Sequence, residues 1–317
     1  MSDRSIFTRL PVDVWDLLLD TLPLSVIQTL RKTCIGGNIT VSTYLSRRCD
    51  TLLSEYFIKP AMLLRELSLT SSVFSGSFAL WVLFRLSCEP GGIDIYTPLD
   101  YFPHVVSYLI AEEGYDSVRP LRPCLSGLDG VGAAVALQHS SGRVVKVMKS
   151  SSMCSLLPLA SFSTTATMAY ITADASFCIA YPVLSEQRRS VLNPLRLLEM
   201  QYPPPSVLDV IKKIERRGFE VREHEYSWRR ETWRHNGCAG ADTECCPLTV
   251  RWFGDSLCAR GSLRTSLATP VHYQRVSYLN LLTALWWRGG MSCGGGCMGP
   301  DEGMSPGVFT MPRDLLL

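Results

Sequence analysis

The stretch "FSGSFALWVLFRLSCEPGGIDIY" runs from Phe74 to Tyr96, and its reading decides the fold. Ser72 to Phe74 is a short strand candidate, and the apolar run Phe78 to Leu86 reads as a helix. Between them stands Gly76-Ser77. A glycine followed by a small hydroxyl residue can bring backbone N–H groups to a phosphate at a helix start. Ile93 to Thr97 then reads as a strand carrying one acid, Asp94. Residues two apart on a strand face the same side, so a second acid at position 92 could share divalent ions with Asp94. Position 92 is glycine.

The flanking chain fits an α+β body. Pro103 to Glu113 is helical in pattern. "AAVALQHSSGRVVKVMKS" gives two strands around Ser140-Ser141-Gly142, a hairpin signal. "TATMAYITADASFCIAYP" gives a second strand pair turning near Asp174. Val207 to Arg217 is an amphipathic helix with Ser206 as its N-cap and Gly218 as its stop. No internal repeat is evident.

Gly76-Ser77, a helix and then an acid-bearing strand is a plan that resembles the nucleotidyltransferase-like proteins, whose strand reads acid–apolar–acid–apolar. The corresponding residues here are Gly92-Ile93-Asp94-Ile95. The resemblance implies nucleotide contacts at Gly76, Ser77 and Asp94, with Mg²⁺ only if the chain is active. It also implies a third acid later in the chain, where this sequence has Phe162-Ser163. Asp174 lies out of register to replace it, while Glu89 and Asp100 flank the site in loops. One carboxylate holds Mg²⁺ poorly, because the ion needs several oxygen ligands in near-octahedral array. The expected state is therefore a scaffold without catalysis. The alternative is an active Mg²⁺-dependent nucleotidyltransferase using Asp94.

The first part reads as helices. "LPVDVWDLLLDTLP" starts at Pro11, which suits a first helical turn, and carries Val14, Leu17, Leu18 and Leu22 at helical spacing. "LSVIQTLRKTC" repeats the pattern with Ile27, Leu30 and Cys34. Gly36 and Gly37 are expected to break it before a further helix through Val41, Leu45, Leu52 and Tyr56. Leu10-Pro11, Asp13, Leu17, Leu18, Leu22-Pro23, Ile27 and Leu30 resemble the F-box family over residues 8 to 48. That resemblance implies docking of a Skp1-type adaptor of a ubiquitin ligase through Leu10, Pro11, Leu17, Leu18, Leu22 and Ile27. A trio of short helices leaves apolar surface over, and such surface rimmed by charge is a docking site. The alternative is that these helices only pack on the body.

Head and body together resemble a group of fungal proteins. The matching pieces are Ser75 to Leu80, Ile93 to Tyr96, Tyr181-Pro182, Arg217 to Phe219 and Pro247 to Asp255. The expected organisation is an F-box-like helical module over 8–58 and a nucleotidyltransferase-like domain over 60–220. A Cys- and Trp-rich extension over 221–317 follows, partly disordered after about residue 290.

Of the twelve cysteines, half lie from Cys238 onward. His235, Cys238, Cys245, Cys246 and Cys258 are candidate zinc ligands, since zinc takes four Cys or His ligands in a tetrahedron. The alternative is a set of free thiols. "YSWRRETWRH" interleaves Trp228 and Trp233 with arginines, which suits either single-stranded nucleic acid or intramolecular cation–π contacts. A zinc-stabilised nucleic-acid binder is thus a third reading. The net charge of +2 gives no separate reason to expect a polyanion partner.

The chain is 46% apolar, enough for a sizeable core in 317 residues. "MSDRSIFTRLPVDVW" lacks the apolar centre of a signal peptide, and the longest apolar run is broken by Arg85. A soluble cytoplasmic or nuclear protein is expected, with an unknown target protein and no membrane.

Overall fold

The computed structural model describes residues 10–86, 89–121, 130–193, 205–223, 225–228, 244, 246, 249–264, 278–288 and 307–316. The fold is mixed: N-terminal helices precede a mixed sheet.

Four helices come first: α1 (Val12–Thr21), α2 (Leu24–Thr33), α3 (Ile35–Tyr56) and α4 (Pro60–Leu69). Pro11 and Pro23 stand just before α1 and α2, and their carbonyls accept from Trp15 and Ile27 N–H at 3.2 and 3.0 Å. Gly36 and Gly37 do not break the chain but lie in the first turn of α3. The Cys34 sulfur there accepts the Gly37 N–H at 3.3 Å, supplying one of the partners that a helix start lacks.

The body opens with β1 (Val73–Ser75), α5 (Gly76–Phe84), β2 (Ile93–Thr97), α6 (Phe102–Glu113), β3 (Tyr115–Leu121), β4 (Val131–His139) and β5 (Val144–Ser150). It continues with α7 (Leu157–Ala160), β6 (Ala169–Thr172), β7 (Ser176–Ile179), α8 (Pro182–Glu186), β8 (Arg189–Val191), α9 (Pro205–Glu215) and β9 (Glu220–Arg222). The later elements are β10 (Arg251–Trp252), β11 (Ala259–Ser262), α10 (Tyr278–Leu281), β12 (Leu282–Trp287) and β13 (Gly307–Pro312).

The main sheet has the order β11-β7-β6-β1-β2-β5-β4-β3. Within it β2 and β5 run parallel and the other pairs antiparallel. The two expected hairpins are β4–β5 and β6–β7. A second sheet, β10-β12-β13, and the parallel pair β8–β9 lie outside it. Three findings differ from expectation. Ser206 falls inside α9 rather than before it. The segment from Arg222 onward, read as a Cys- and Trp-rich extension, contributes β11 to the main sheet, and it forms a strand over Gly307–Pro312. The expectation for 290–306 lies outside the described residues.

Every residue of α5 except Trp81 is buried, as an all-apolar helix demands. Trp15, Leu19, Ile27, Val41 and Leu45 of the helical head share one apolar core with Phe74, Phe78 and Ile95 of the body. Polar contacts reinforce this packing. The Glu186 carboxylate accepts from Ser25 N–H at 2.6 Å and Ser25 Oγ at 2.9 Å, at the start of α2. Arg85 donates to the carbonyls of Leu19, at 3.1 Å, and Leu22. Arg31 reaches the carbonyls of Ser262 and Arg264 at the end of β11. Among the described residues, no helix is long and apolar enough to cross a membrane.

Candidate functional site

The turn from β1 into α5 sets the site. Ser75 is buried and its Oγ donates to the Ala169 carbonyl at 2.5 Å. Gly76 takes φ +63, and a Cβ built on it would run into Asp94 Oδ2. Glycine is therefore required twice, for the left-handed backbone and for the close approach of the carboxylate. The Ser77 hydroxyl, also buried, points to the Gly92 carbonyl at 3.4 Å. Gly76 thus lies against Asp94, and Ser77 against Gly92, two residues before it on the chain.

The charges around Asp94 are the unexpected part. Its cross-strand partner on β5 is Lys146, whose Nζ lies 3.8 Å from Asp94 Oδ1. Burial pushes the Asp94 carboxyl up, while Lys146, Lys213 and Arg217 pull it down; the net shift is upward. Lys213 is itself pushed down by burial, with Asp94 opposing that shift. Among the described residues, the charges that act on Asp94 are the positive ones of Lys146, Lys213 and Arg217.

The places for further carboxylates are closed or occupied. A Cβ on Gly92 would stand 2.9 Å from the Val144 carbonyl oxygen, so an acid there needs the β5 backbone to move. Opposite Asp94 on β5 stands Lys146, whose ammonium offers a metal ion no oxygen. Phe162 packs its ring edge-on against Tyr96, centroids 5.6 Å apart. The Ser163 carbonyl accepts from Asn193 N–H at 2.9 Å. Asp174 is spent on the β6–β7 turn, accepting from Ser176 N–H and Oγ, each at 3.3 Å. Glu89 and Asp100 are exposed. Among the described residues, no group of three or more His, Cys, Asp or Glu is placed to hold a metal ion. The arrangement can attract an anion, but it offers a divalent ion one carboxylate oxygen set already faced by ammonium.

The predicted docking residues separate into two groups. Leu17 is 70% exposed and Leu18 43% exposed, and Pro11 is exposed. Leu10 and Leu22 are half-buried against the core. Ile27 is a correction: it is fully buried in the apolar core where α2 packs against α3. Val12 and Val26 are exposed and were not predicted; each lies on the apolar side left over once the buried stripe is drawn.

Of the candidate zinc ligands, His235, Cys238 and Cys245 lie outside the described residues. Cys246 is buried, with its carbonyl accepting from Thr249 N–H at 3.2 Å. Cys258 is half-buried, with Arg251 Nη2 3.6 Å from its sulfur. That guanidinium is fully buried, paired with Asp255 at 2.5 Å, and stacked over Tyr181 and Trp286. A fixed cation at the sulfur opposes a second one. In the aromatic–basic stretch Trp228 is described, and the Arg189 guanidinium sits over its ring at 5.2 Å.

No family model matches the chain, and no curated protein matches it. Among solved structures the chain is similar to "The structure of CCA-adding enzyme apo form I", with 12% identity and a TM-score of 0.36. The likeness covers 56% of this chain and 43% of that chain, so less than half of the neighbour's length is spanned.

Proposed function

We propose that this chain is a non-catalytic interaction protein. Its F-box-like head docks a Skp1-type adaptor through the exposed side of α1, and its nucleotidyltransferase-like body serves recruitment of a target rather than nucleotide transfer. The observation that carries this reading is the pairing of Asp94 with Lys146. Metal-assisted phosphoryl transfer needs clustered oxygen ligands around divalent ions. Here the single carboxylate is neutralised by a lysine on the neighbouring strand, and the same strand crowds position 92, where a second acid would stand. The exposed Leu17 and Leu18 of α1 support the docking half.

The test has two arms. Purified protein with Mg²⁺ and each of the four ribonucleoside triphosphates is expected to release no pyrophosphate above background. Release that disappears in Asp94→Ala would restore the enzyme reading. In the second arm, a Skp1-type adaptor is expected to be captured by the wild type and lost with Leu17→Asp. Absence of capture, or capture that Leu17→Asp leaves intact, removes the docking half.

A further inference from the structure

Arg85 ends α5, and Arg188 follows α8. Both take left-handed backbone angles, φ +51 and +57, which a residue with a Cβ adopts where its surroundings hold it there. Arg188 Nη2 donates to the Phe84 carbonyl at 2.5 Å, and Arg48 Nη2 to the Trp81 carbonyl at 3.2 Å. Arg85 itself reaches across to the Leu19 and Leu22 carbonyls at the end of α1. Three arginines, from α3, α5 and the turn after α8, thus gather at the last turn of α5.

These arginines are not matched by acids. Asp20 accepts from Arg48 Nη1 at 3.3 Å and also from the Tyr44 hydroxyl. Among the described residues, Arg85 and Arg188 have carbonyls, and no carboxylate, as ionic or main-chain partners. Glu186 stands two residues before Arg188, but its carboxylate is engaged by Ser25 at the start of α2. The carbonyls that end α1 and α5 offset part of the charge, roughly half a unit at each helix end. With Asp20 they leave about one positive charge of the three guanidiniums uncompensated. Burial pulls Arg85 and Arg188 below their ordinary values, and a neighbouring arginine adds to that in each case.

Donors are left over as well. Nε of Arg48, Nε of Arg85 and Nη1 of Arg188 are buried and have no partner among the described residues. A buried charged donor without an acceptor is costly, so each calls for one. The faces of two guanidiniums are covered: Arg48 Cζ lies 4.3 Å from the Trp81 ring centroid and Arg188 Cζ 5.4 Å from that of Phe219. Their N–H edges are what a ligand can meet. All three arginines are half-buried, so the group is reached from solvent.

We propose that this cluster binds one small tetrahedral oxyanion of the phosphate class, held where the helical head meets the body. Its oxygens accept from the leftover N–H groups of Arg85, Arg188 and Arg48, in the forked geometry that guanidinium offers to phosphate. Its charge answers the uncompensated positive one. The site lies at the opposite end of α5 from Gly76 and Asp94, and it is independent of adaptor docking. A bound ion that touches α3, α5 and the turn after α8 stabilises the joined state of head and body by mass action.

The full chain, dialysed into chloride buffer, is titrated with sodium phosphate by isothermal calorimetry at constant ionic strength. One saturable site per chain is expected. Arg188→Met keeps an aliphatic stem over Phe219 and removes the donors, and is expected to weaken binding roughly tenfold or more. Arg85→Lys keeps the charge and loses the fork. It is expected to weaken binding too, and gives the reading should Arg188→Met fail to fold. No saturable uptake by the wild type overturns the proposal. So does uptake that both arginine variants leave unchanged. Uptake that is lost with Lys146→Met and kept with Arg188→Met would place the ion beside Asp94 and overturns it equally.

Discussion

Asp94 on β2 and Lys146 on β5 stand opposite one another in a parallel pair, with Oδ1 and Nζ 3.8 Å apart. The lysine is the first of the cations that hold the Asp94 carboxyl down against burial. Lys146→Met keeps the aliphatic stem and removes the charge, so burial then acts with less opposition. The Asp94 carboxyl is expected to titrate at a still higher pH, followed by the side-chain carboxyl resonance in ¹³C NMR. An unchanged midpoint would mean that the pair contributes nothing to Asp94.

Gly76→Ala should be costly for two separable reasons. The left-handed backbone costs about 1–2 kcal/mol for a residue with a Cβ. The new methyl also displaces the Asp94 carboxylate, against which it would be built. The second part disappears in an Asp94→Ala background. Urea unfolding of the two single variants and the double is expected to show the double less destabilised than the sum of the singles. Strict additivity would mean that the contact between residue 76 and Asp94 is not what reserves the position for glycine.

The leucines and isoleucine of the first two helices should separate cleanly. Ile27→Ala empties a fully buried site and is expected to cost about 2–5 kcal/mol. Leu17→Asp changes a largely exposed side chain and should alter stability by no more than about 0.5 kcal/mol. Denaturant melts of both variants check this. A large loss for Leu17→Asp would place that residue in the core and withdraw it from the docking face.

The parts of this fold that could be read ahead are those whose signals are local. β2 was expected over Ile93 to Thr97 and is found there, because Gly91-Gly92 and Pro98 bracket a short apolar run. The β4–β5 hairpin announced itself through Ser140-Ser141-Gly142, and Gly142 indeed takes φ +86. α4 carries local signals too, with Pro60 at its first turn and Leu63 and Leu67 at helical spacing, and it is a finding of the structure. Lys146 is different in kind. Its polarity was visible, but its position against Asp94 follows from β2 pairing with β5 across α6, β3 and β4, a non-local choice that no short window reveals. The same holds for β11, which joins β7 only through tertiary packing. The resemblance points to Ser163 for a third acid, while the sheet puts β5, with Lys146, beside Asp94.

Glu244 offers a pH test far from Asp94. Its carboxylate accepts from the N–H groups of Val183 and Leu184, at 3.2 and 2.8 Å, where α8 begins. Burial nevertheless dominates and pushes the carboxyl up to about 7, against those bonds and against Arg251. A folded-state value above the unfolded one means that the folded chain binds the proton more tightly. Its contribution is therefore fully present below the unfolded value, about 4.3 for Glu. It falls as pH rises toward 7 and is level above it, a loss on the order of 1–3 kcal/mol. Glu244→Gln has no proton to lose and keeps a carbonyl oxygen for the two N–H donors. Melting temperatures of wild type and variant between pH 4 and 8 should converge at the acid end. They should diverge toward neutrality, with the variant the more stable. Parallel profiles would show that Glu244 titrates as an ordinary exposed carboxylate, and that its bonds to α8, rather than its burial, set its charge.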